Sequence, residues 1–326
     1  MILNLILAVI GVYNGISYFF LMNPTLLHKY KDKLQLPQPP TNQKKYVLSH
    51  RAGAYEKPES TVQAFQHSES IGVHIIETDI QITSDNVLIA YHDEDFIRAC
   101  GVDAKVIETP STSLPQLKDS IPIWFSYDDS YEMQSGDSRQ IATLSQLFAA
   151  VPSSTVIVLE LINAENQVAQ QQLINLIQSN NRKSTTVIGT IESKYNAQLN
   201  ARDPTVPIFM PSGKVIQYFL LYVFGLLPFV PISEDFASIP YMSAQYAYAR
   251  MKNMPSLYSV LYIAVTWIIS HLCDNMIKHF NKRGIYTNYY VANLERDIEK
   301  IYRGTSAMGV MTDKPTLAIN ILNKLP

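Results

Sequence analysis

The sequence predicts a TIM-type (β/α)8 barrel preceded by a transmembrane helix. Short β-type runs alternate with stretches of helical period, the pattern of a parallel α/β sheet. About eight such runs fall within one chain of 326 residues, which suits a single closed barrel. Ahead of them, Met1 to Leu27 carries no charged side chain, and its apolar core matches the roughly 20 residues a bilayer requires.

The elements follow in chain order. Asn4 and Asn14 weaken the first segment, while Tyr13, Tyr18, Phe19 and Phe20 suit a membrane interface. A cleaved signal peptide is the rival reading. No basic region opens the chain and no A-x-A site precedes Asn23-Pro24, so an anchor over 1–27 is expected. Residues 28–44 read as a polar linker with Pro37, Pro39 and Pro40, and 45–326 as the barrel domain. Tyr46 to Ser49 is a buried strand, and Ser60 or Thr61 starts a helix that runs to Ser70. Val73 to Ile82 and Val87 to Tyr91 are strands joined through the turn at Ser84-Asp85-Asn86. That turn is too short for a crossover helix, so the pair departs from a regular repeat. Glu94 to Arg139 lacks any period and reads as an elaborated loop. Leu144 to Val151 and Gln167 to Ser179 are helical. Thr155 to Leu161, Thr186 to Thr190, Val206 to Met210, Ile285 to Val291 and Met308 to Thr312 complete the strands. An apolar insertion spans about 211–282. Within it, Val215 to Ile232 and Leu257 to Leu272 read as a membrane-facing lobe that admits acyl chains, because aromatic residues crowd the first stretch.

Bulk composition excludes several classes. Charged residues make up 17% and hydrophobic ones 47%, with a net charge of −2, so no nucleic-acid partner is expected. The two cysteines, Cys100 and Cys273, form no metal-binding spacing and are expected as free thiols.

In such a barrel, polar residues at the C-terminal ends of strands gather at one mouth. His50 and Arg51 follow the first strand, Glu77 and Asp79 lie on the second, His92 and Asp93 follow the third, and Glu160 closes TVIVLEL. Glu77 and Asp79 are two apart and point the same way on a strand. Adjacent carboxylates repel, and a divalent cation relieves that repulsion. With Glu160 they offer hard oxygen donors suited to Mg²⁺ or Ca²⁺. Helix capping or pairing with lysine is the ordinary alternative for any one of them. His50 and His92 are candidates for acid and base, because imidazole titrates near neutrality. Arg51 offers a fork matched to phosphate oxygens, with a salt bridge to Glu77 or Glu59 as its structural alternative.

His50-Arg51-Ala52, Pro58-Glu59-Ser60-Thr61, Ala64-Phe65, Glu77-x-Asp79, Thr83-x-Asp85, His92-Asp93, Glu160 and Thr312-Asp313-Lys314-Pro315 keep one order and spacing. Jointly these motifs resemble the glycerophosphodiester phosphodiesterase family over about Lys45 to Leu325. The resemblance implies a phospholipase C-like phosphodiesterase barrel. It also implies His50 and His92 as the acid/base pair, Arg51 on phosphate, and Glu77, Asp79 and Glu160 on one divalent cation. A narrower likeness, in Asn23 to His28 and Leu226 to Ile232, is to the membrane-anchored branch with lysophospholipase D activity. Three positions depart from the family pattern: Ala52 stands for glycine, Ile162 for a lysine beside phosphate, and Tyr290 for tryptophan. On a strand, Ile162 faces the same side as Glu160 and is expected at the mouth.

The implied substrate is a lysophospholipid or glycerophosphodiester. A sphingomyelinase D-like lyase that stops at a cyclic phosphate, and a weakly active lipid-binding homologue, remain open beside hydrolysis. The expected location is a membrane, the endoplasmic reticulum being one candidate. Lys29, Lys31 and Lys33 favour a cytosolic body by the positive-inside rule.

Overall fold

A computed structural model describes residues 1–38 and 45–325. The strands are β1 (Tyr46–Ser49), β2 (Ile75–Ile82), β3 (Leu88–Ala90), β4 (Ser120–Pro122), β5 (Ser130–Glu132), β6 (Val156–Leu161), β7 (Thr186–Gly189), β8 (Phe236–Pro240), β9 (Tyr286–Tyr290) and β10 (Gly309–Thr312). Seven of them run parallel in the order β7-β6-β2-β1-β10-β9-β8. Ile208 and Phe209 close the circle through single parallel bridges to Ile188 and Phe236. The result is a barrel with helices packed outside it.

Two strand expectations change. Val87 to Tyr91 is no stave: β3 pairs antiparallel with β2 and folds back over it. A two-stranded return is what the short Ser84-Asp85-Asn86 turn permits. The stave that sequence reading overlooked is β8, which lies inside the expected insertion and ends at Pro240. Val206 to Met210 holds the eighth place in the circle with bridges alone. Pro207 lacks an N–H and breaks the ladder there.

The outer helices begin where capping side chains stand. Thr61 accepts the Ala64 N–H at the start of Val62–Ser70. Thr143 and Gln146 form a reciprocal capping box on Leu144–Ala150. Asn166 caps Gln167–Ser179. Each saves an N–H that would otherwise lack a partner.

Residues 28–38 of the expected linker pack against the barrel, while 39–44 lie outside the described residues. Lys31 and Lys33 pair with buried Asp235, which also accepts the Ile208 N–H. The Gln35 N–H donates to Ser184 O, and Leu34 and Leu36 pack on the cluster that holds Phe236 and Tyr286. The amino-terminal helix Ile2–Met22 docks by its second half. Tyr13 and Ser17 donate to Phe224 O and Gly225 O, and His279 and Lys282 donate to Leu21 O and Met22 O. Cys100 and Cys273 are free thiols.

After β1 the backbone is left-handed at Arg51, Ala52 and Gly53. A Cβ on Gly53, at φ +87°, would stand 2.9 Å from the Pro315 ring. Gly53→Ala is therefore expected to cost about 1–3 kcal/mol, through left-handed strain and contact together. Thermal denaturation checks this, and an unchanged melting temperature would contradict the turn geometry.

Candidate active site

The three short segments that leave β1, β3 and β10 converge on one end of the barrel. There a cavity of about 190 Å³ is lined by His50, Arg51, Glu77, Asp79, His92 and Glu160 among others. All six sequence-predicted residues thus meet. The β2–β6 register places Asp79 opposite Glu160, and Glu77 faces the same way one alternation earlier.

His50 is the most firmly held. Its Nδ1 donates to Asp313 Oδ1 at 2.5 Å, and its Nε2 lies 3.9 Å from Glu77 Oε2. Burial alone would lower the imidazolium pKa, but Asp313 and Glu77 outweigh it and the pKa is raised. Asp313 is itself fixed by Asn293, whose Nδ2 donates to its Oδ2 at 2.7 Å while Asn293 Oδ1 accepts the Asp313 N–H. Asp313 belongs to the Thr312-Asp313-Lys314-Pro315 motif but is not among the residues the sequence reading assigns to the site. Its place just past the final barrel strand was the available signal. Phe125, from the elaborated loop, packs edge-on against His50 and stacks on Tyr246. Nothing in the unperiodic 94–139 sequence reveals that closure.

His92 is partly exposed, and its Nδ1 donates to Asp93 Oδ1 at 2.8 Å. A chain of alternating charge continues inward from Asp93. Arg98 Nε donates to Asp93 at 2.6 Å, Arg98 also grips buried Glu59, and Glu59 Oε2 stands 3.4 Å from Arg51 Nη1. Arg51 Nε then faces Asp79 Oδ2 at 3.4 Å, both atoms buried without a hydrogen-bond partner. Of the salt bridges considered for Arg51, Glu59 is realised. Glu77 instead accepts the Arg51 backbone N–H at 3.0 Å.

Desolvation, then the Asp79 charge, raise Glu77 to about 7. Desolvation, Asp79 and Glu77 raise Glu160 to about 8. Among the described residues no three His, Cys, Asp or Glu side chains stand in the geometry of a formed metal site. The donor set nevertheless fits a hard cation: all three are carboxylates, one oxygen is an orphan, and two have raised pKa values, so that a cation would compete with protons for them.

Ile162 lies half-buried in the turn after β6, and is not among the side chains that line the cavity. The expectation that it faces the mouth assumed that β6 continues through it, whereas the strand ends at Leu161. Arg51, and after it His50, are the positive groups that lower the Glu160 pKa against its burial and its carboxylate neighbours.

Phosphate chemistry asks for a cation, a proton donor and a proton acceptor around one opening, and an α/β barrel mouth that offers these is suited to a phosphodiesterase. The chain belongs to the glycerophosphoryl diester phosphodiesterase family, whose sequence model matches residues 50–317. Human lysophospholipase D GDPD1 is 30% identical over 313 residues, covering 95% of this chain and 94% of its own length. Human lysophospholipase D GDPD3 is 28% identical, covering 95% and 92%. Among solved structures, a glycerophosphodiester phosphodiesterase from Thermotoga maritima shares the fold at TM-score 0.55 and 19% identity, covering 85% of this chain and 98% of its own. An Oleispira antarctica phosphodiesterase, solved with its product sn-glycerol-3-phosphate, shares the fold at TM-score 0.58 and 16% identity, covering 89% and 98%.

The raised groups set a pH dependence. The folded chain binds more protons than the unfolded one wherever pH lies between an unfolded pKa of 4.5 and folded values of about 7 and 8 at Glu77 and Glu160. Stability from these groups is whole below that window and is lost as pH rises through it, and raised His50 acts in the same sense. In EDTA the melting temperature should therefore fall from about pH 5 to pH 8, with other titrating groups held constant by comparison with Glu160→Gln. Millimolar Mg²⁺ at pH 8 should restore it, and no recovery with either Mg²⁺ or Ca²⁺ would remove the cation site.

Proposed function

We propose that this chain is a membrane-anchored, divalent-cation-dependent lysophospholipase D, which hydrolyses the head-group ester of a lysophospholipid and accepts glycerophosphodiesters. The observation that carries this reading is the pair of histidines at one cavity with Arg51, each braced by its own aspartate. An aspartate on Nδ1 leaves Nε2 as the working nitrogen on both rings. The likeness to lysophospholipase D relatives over nearly the whole chain supports the substrate class.

One histidine removes the proton from the attacking oxygen and the other protonates the departing head-group alkoxide. The substrate's own free glycerol hydroxyl is the favoured nucleophile, because effective molarity exceeds that of water. Attack then gives a cyclic phosphate, which water opens in a second passage through the same pair. Arg51 orients a phosphate oxygen. Glu77, Asp79 and Glu160 would hold the cation, which when bound supplies charge stabilisation at phosphorus. Phe125, Ile191, Phe209 and Met210 form an apolar wall for the first part of an acyl chain. The Ile2–Met22 helix has 21 residues, about 31 Å of α-helix, enough for a bilayer core of about 30 Å.

Mass spectrometry of products from a panel of lysophospholipids and glycerophosphodiesters, with Mg²⁺ and Ca²⁺ compared, tests the reading. Head-group alcohol and a linear lysophosphatidic acid are expected. A cyclic phosphate as the only final product would make the chain a lyase, and no turnover of any member would reject the activity. His50→Ala and His92→Ala should each lower kcat by about 10²–10⁴-fold with the fold retained. Near-normal activity in either one would exclude the two-histidine mechanism. Asp313→Asn should lower kcat and displace the pH–rate limb that belongs to His50, leaving KM nearly unchanged. A change in KM alone would instead make Asp313 a brace for the loop.

A further inference from the structure

The helix Leu257–Leu272 is built inside out. Its sequence from Met254 to Ser270 holds no charged side chain. In water the polar residues of a surface helix face outward. Here Ser259 and Thr266 are buried at 0% and 2% exposure, while Leu257, Leu261, Ile268 and Leu272 are exposed at 76%, 57%, 43% and 61%. Those four recur at spacings of four, seven and four and share one face. Trp267 and Tyr258 are exposed beside them.

The opposite face meets the active-site wall. Tyr262 Oη stands 3.5 Å from the hydroxyl of Tyr290, which lines the cavity, and Tyr289 donates to Ser270 O. Tyr290 thus joins the cavity to the helix.

The other apolar stretch is different. Helix Ser212–Val223 turns Val215, Tyr218 and Phe219 into the core, and its exposed large apolar side chains, Leu220 and Val223, lie at its far end with Phe224 just beyond. It is a barrel-packing helix with an apolar tip. That tip touches the amino-terminal helix through Tyr13 and Ser17.

We propose that Leu257–Leu272 lies within one leaflet of the bilayer that takes Ile2–Met22, and holds the cavity mouth at the lipid surface. The proposal deepens the reading of this chain as a membrane-anchored lysophospholipase D and rests on it. Helix Asp274–Lys282 names the occupant. It follows the inverted helix after Cys273 and, through His279 and Lys282, also holds Leu21 and Met22. Lipid around the anchor therefore adjoins the inverted helix on the same support.

Length decides against a second span. Sixteen residues reach about 24 Å, short of the ~30 Å core. The next helix turns away by 66°, carries Asp274, Lys278 and Lys282, and buries Met276, Ile277 and Phe280 in the barrel core. It cannot complete a crossing. A lysolipid held beside Tyr262 could then reach the mouth without its acyl chain passing through water.

The test uses the full chain in phosphatidylcholine vesicles. The sequence holds two tryptophans, so Trp124→Phe leaves Trp267 as the only one. Acyl-brominated lipid should quench Trp267 by about twofold or more. In the otherwise wild-type chain, Leu261→Glu with Ile268→Glu should slow hydrolysis of vesicle-borne long-chain lysophospholipid about tenfold. Turnover of soluble glycerophosphocholine should stay unchanged, and the chain should still pellet with vesicles through Ile2–Met22. Unquenched Trp267, undiminished vesicle turnover, or equal loss on both substrates would overturn the placement. So would a concentration-dependent dimer that shields Trp267, since the face would then belong to a second copy. If the wild-type chain turned over neither substrate, the proposed activity would fail while quenching still decided where the helix lies.

Discussion

Three carboxylates share the mouth of this barrel, and their mutual repulsion is the constraint around which the site is arranged. Glu77, Asp79 and Glu160 are fixed by the β2–β6 register, so none can turn away without shifting a strand by a residue and reversing its faces. A buried charge without a partner costs several kcal/mol, and nearby groups must answer it. Arg51 answers Asp79, and the Arg51 N–H answers Glu77. The guanidinium needs its own balance in turn, which passes through Glu59 to Arg98 and Asp93, and so to His92. The second histidine is therefore oriented by the far end of a charge chain that begins at the carboxylates. Replacing one member of such a chain leaves its neighbours unpaired, so these residues act as a unit rather than as separable contacts.

Much of this was legible because strand alternation turns sequence spacing into direction. Two residues apart on β2 meant the same face for Glu77 and Asp79, and a strand-end position meant the mouth for His50 and Glu160. What failed were places where the strand signal and the stave were different things. Val87 to Tyr91 has strand composition, but its short turn makes it a returning arm, and His92 reaches the cavity from that arm. Phe236–Pro240 is a stave masked by apolar neighbours on both sides, where periodicity does not separate strand from helix. Ile162 was assigned a direction on the assumption that β6 continued, and the strand stopped one residue short. Asp313 needed three-dimensional closure: β10 pairs with β1, so the last strand end meets the first, and His50 finds its aspartate 263 positions away. The roof over His50 was beyond reach for a related reason. Phe125 is held by Tyr246 and by Asn293 on its carbonyl, contacts with no local pattern.

The amino-terminal helix and the segment after it are both tied to the barrel. Residues 28–38 cross the barrel with Lys31 and Lys33 on Asp235, whose oxygen also receives the Ile208 N–H at the weakest point of the circle. The barrel closes there by bridges rather than by a ladder, so the same carboxylate tethers the segment after the amino-terminal helix and supports the closure. An apolar amino-terminal helix on a free linker would only raise local concentration near lipid. Docked through Tyr13, Ser17, His279 and Lys282, it would set an orientation if it enters a bilayer as proposed, and orientation matters for an enzyme whose opening must face a lipid substrate.

Charge balance at the mouth bears on what replaces the missing family lysine. Ionised Glu77, Asp79 and Glu160 with a bound phosphodiester would present four negative charges, against Arg51 and, when protonated, His50 among the cavity-lining side chains. Arg51 is already engaged by Glu59 and Asp79, so it has less to give a phosphate than a free guanidinium would. The excess can be met by protons or by a cation. Protons are what the isolated chain uses, with Glu160 raised to about 8 and Glu77 to about 7. Protonated carboxylates no longer repel phosphate, but they do not attract it either. Glu77, Asp79 and Glu160 would hold a divalent cation in place of those protons, and its charge would favour the anion. A lysine at position 162 would not repair the balance, because the side chain there leaves from the turn beyond β6 rather than from the cavity wall. If a divalent cation binds the three carboxylates as proposed, more of the phosphate's neutralisation would fall to it, and substrate and cation would tighten each other's binding by the same factor.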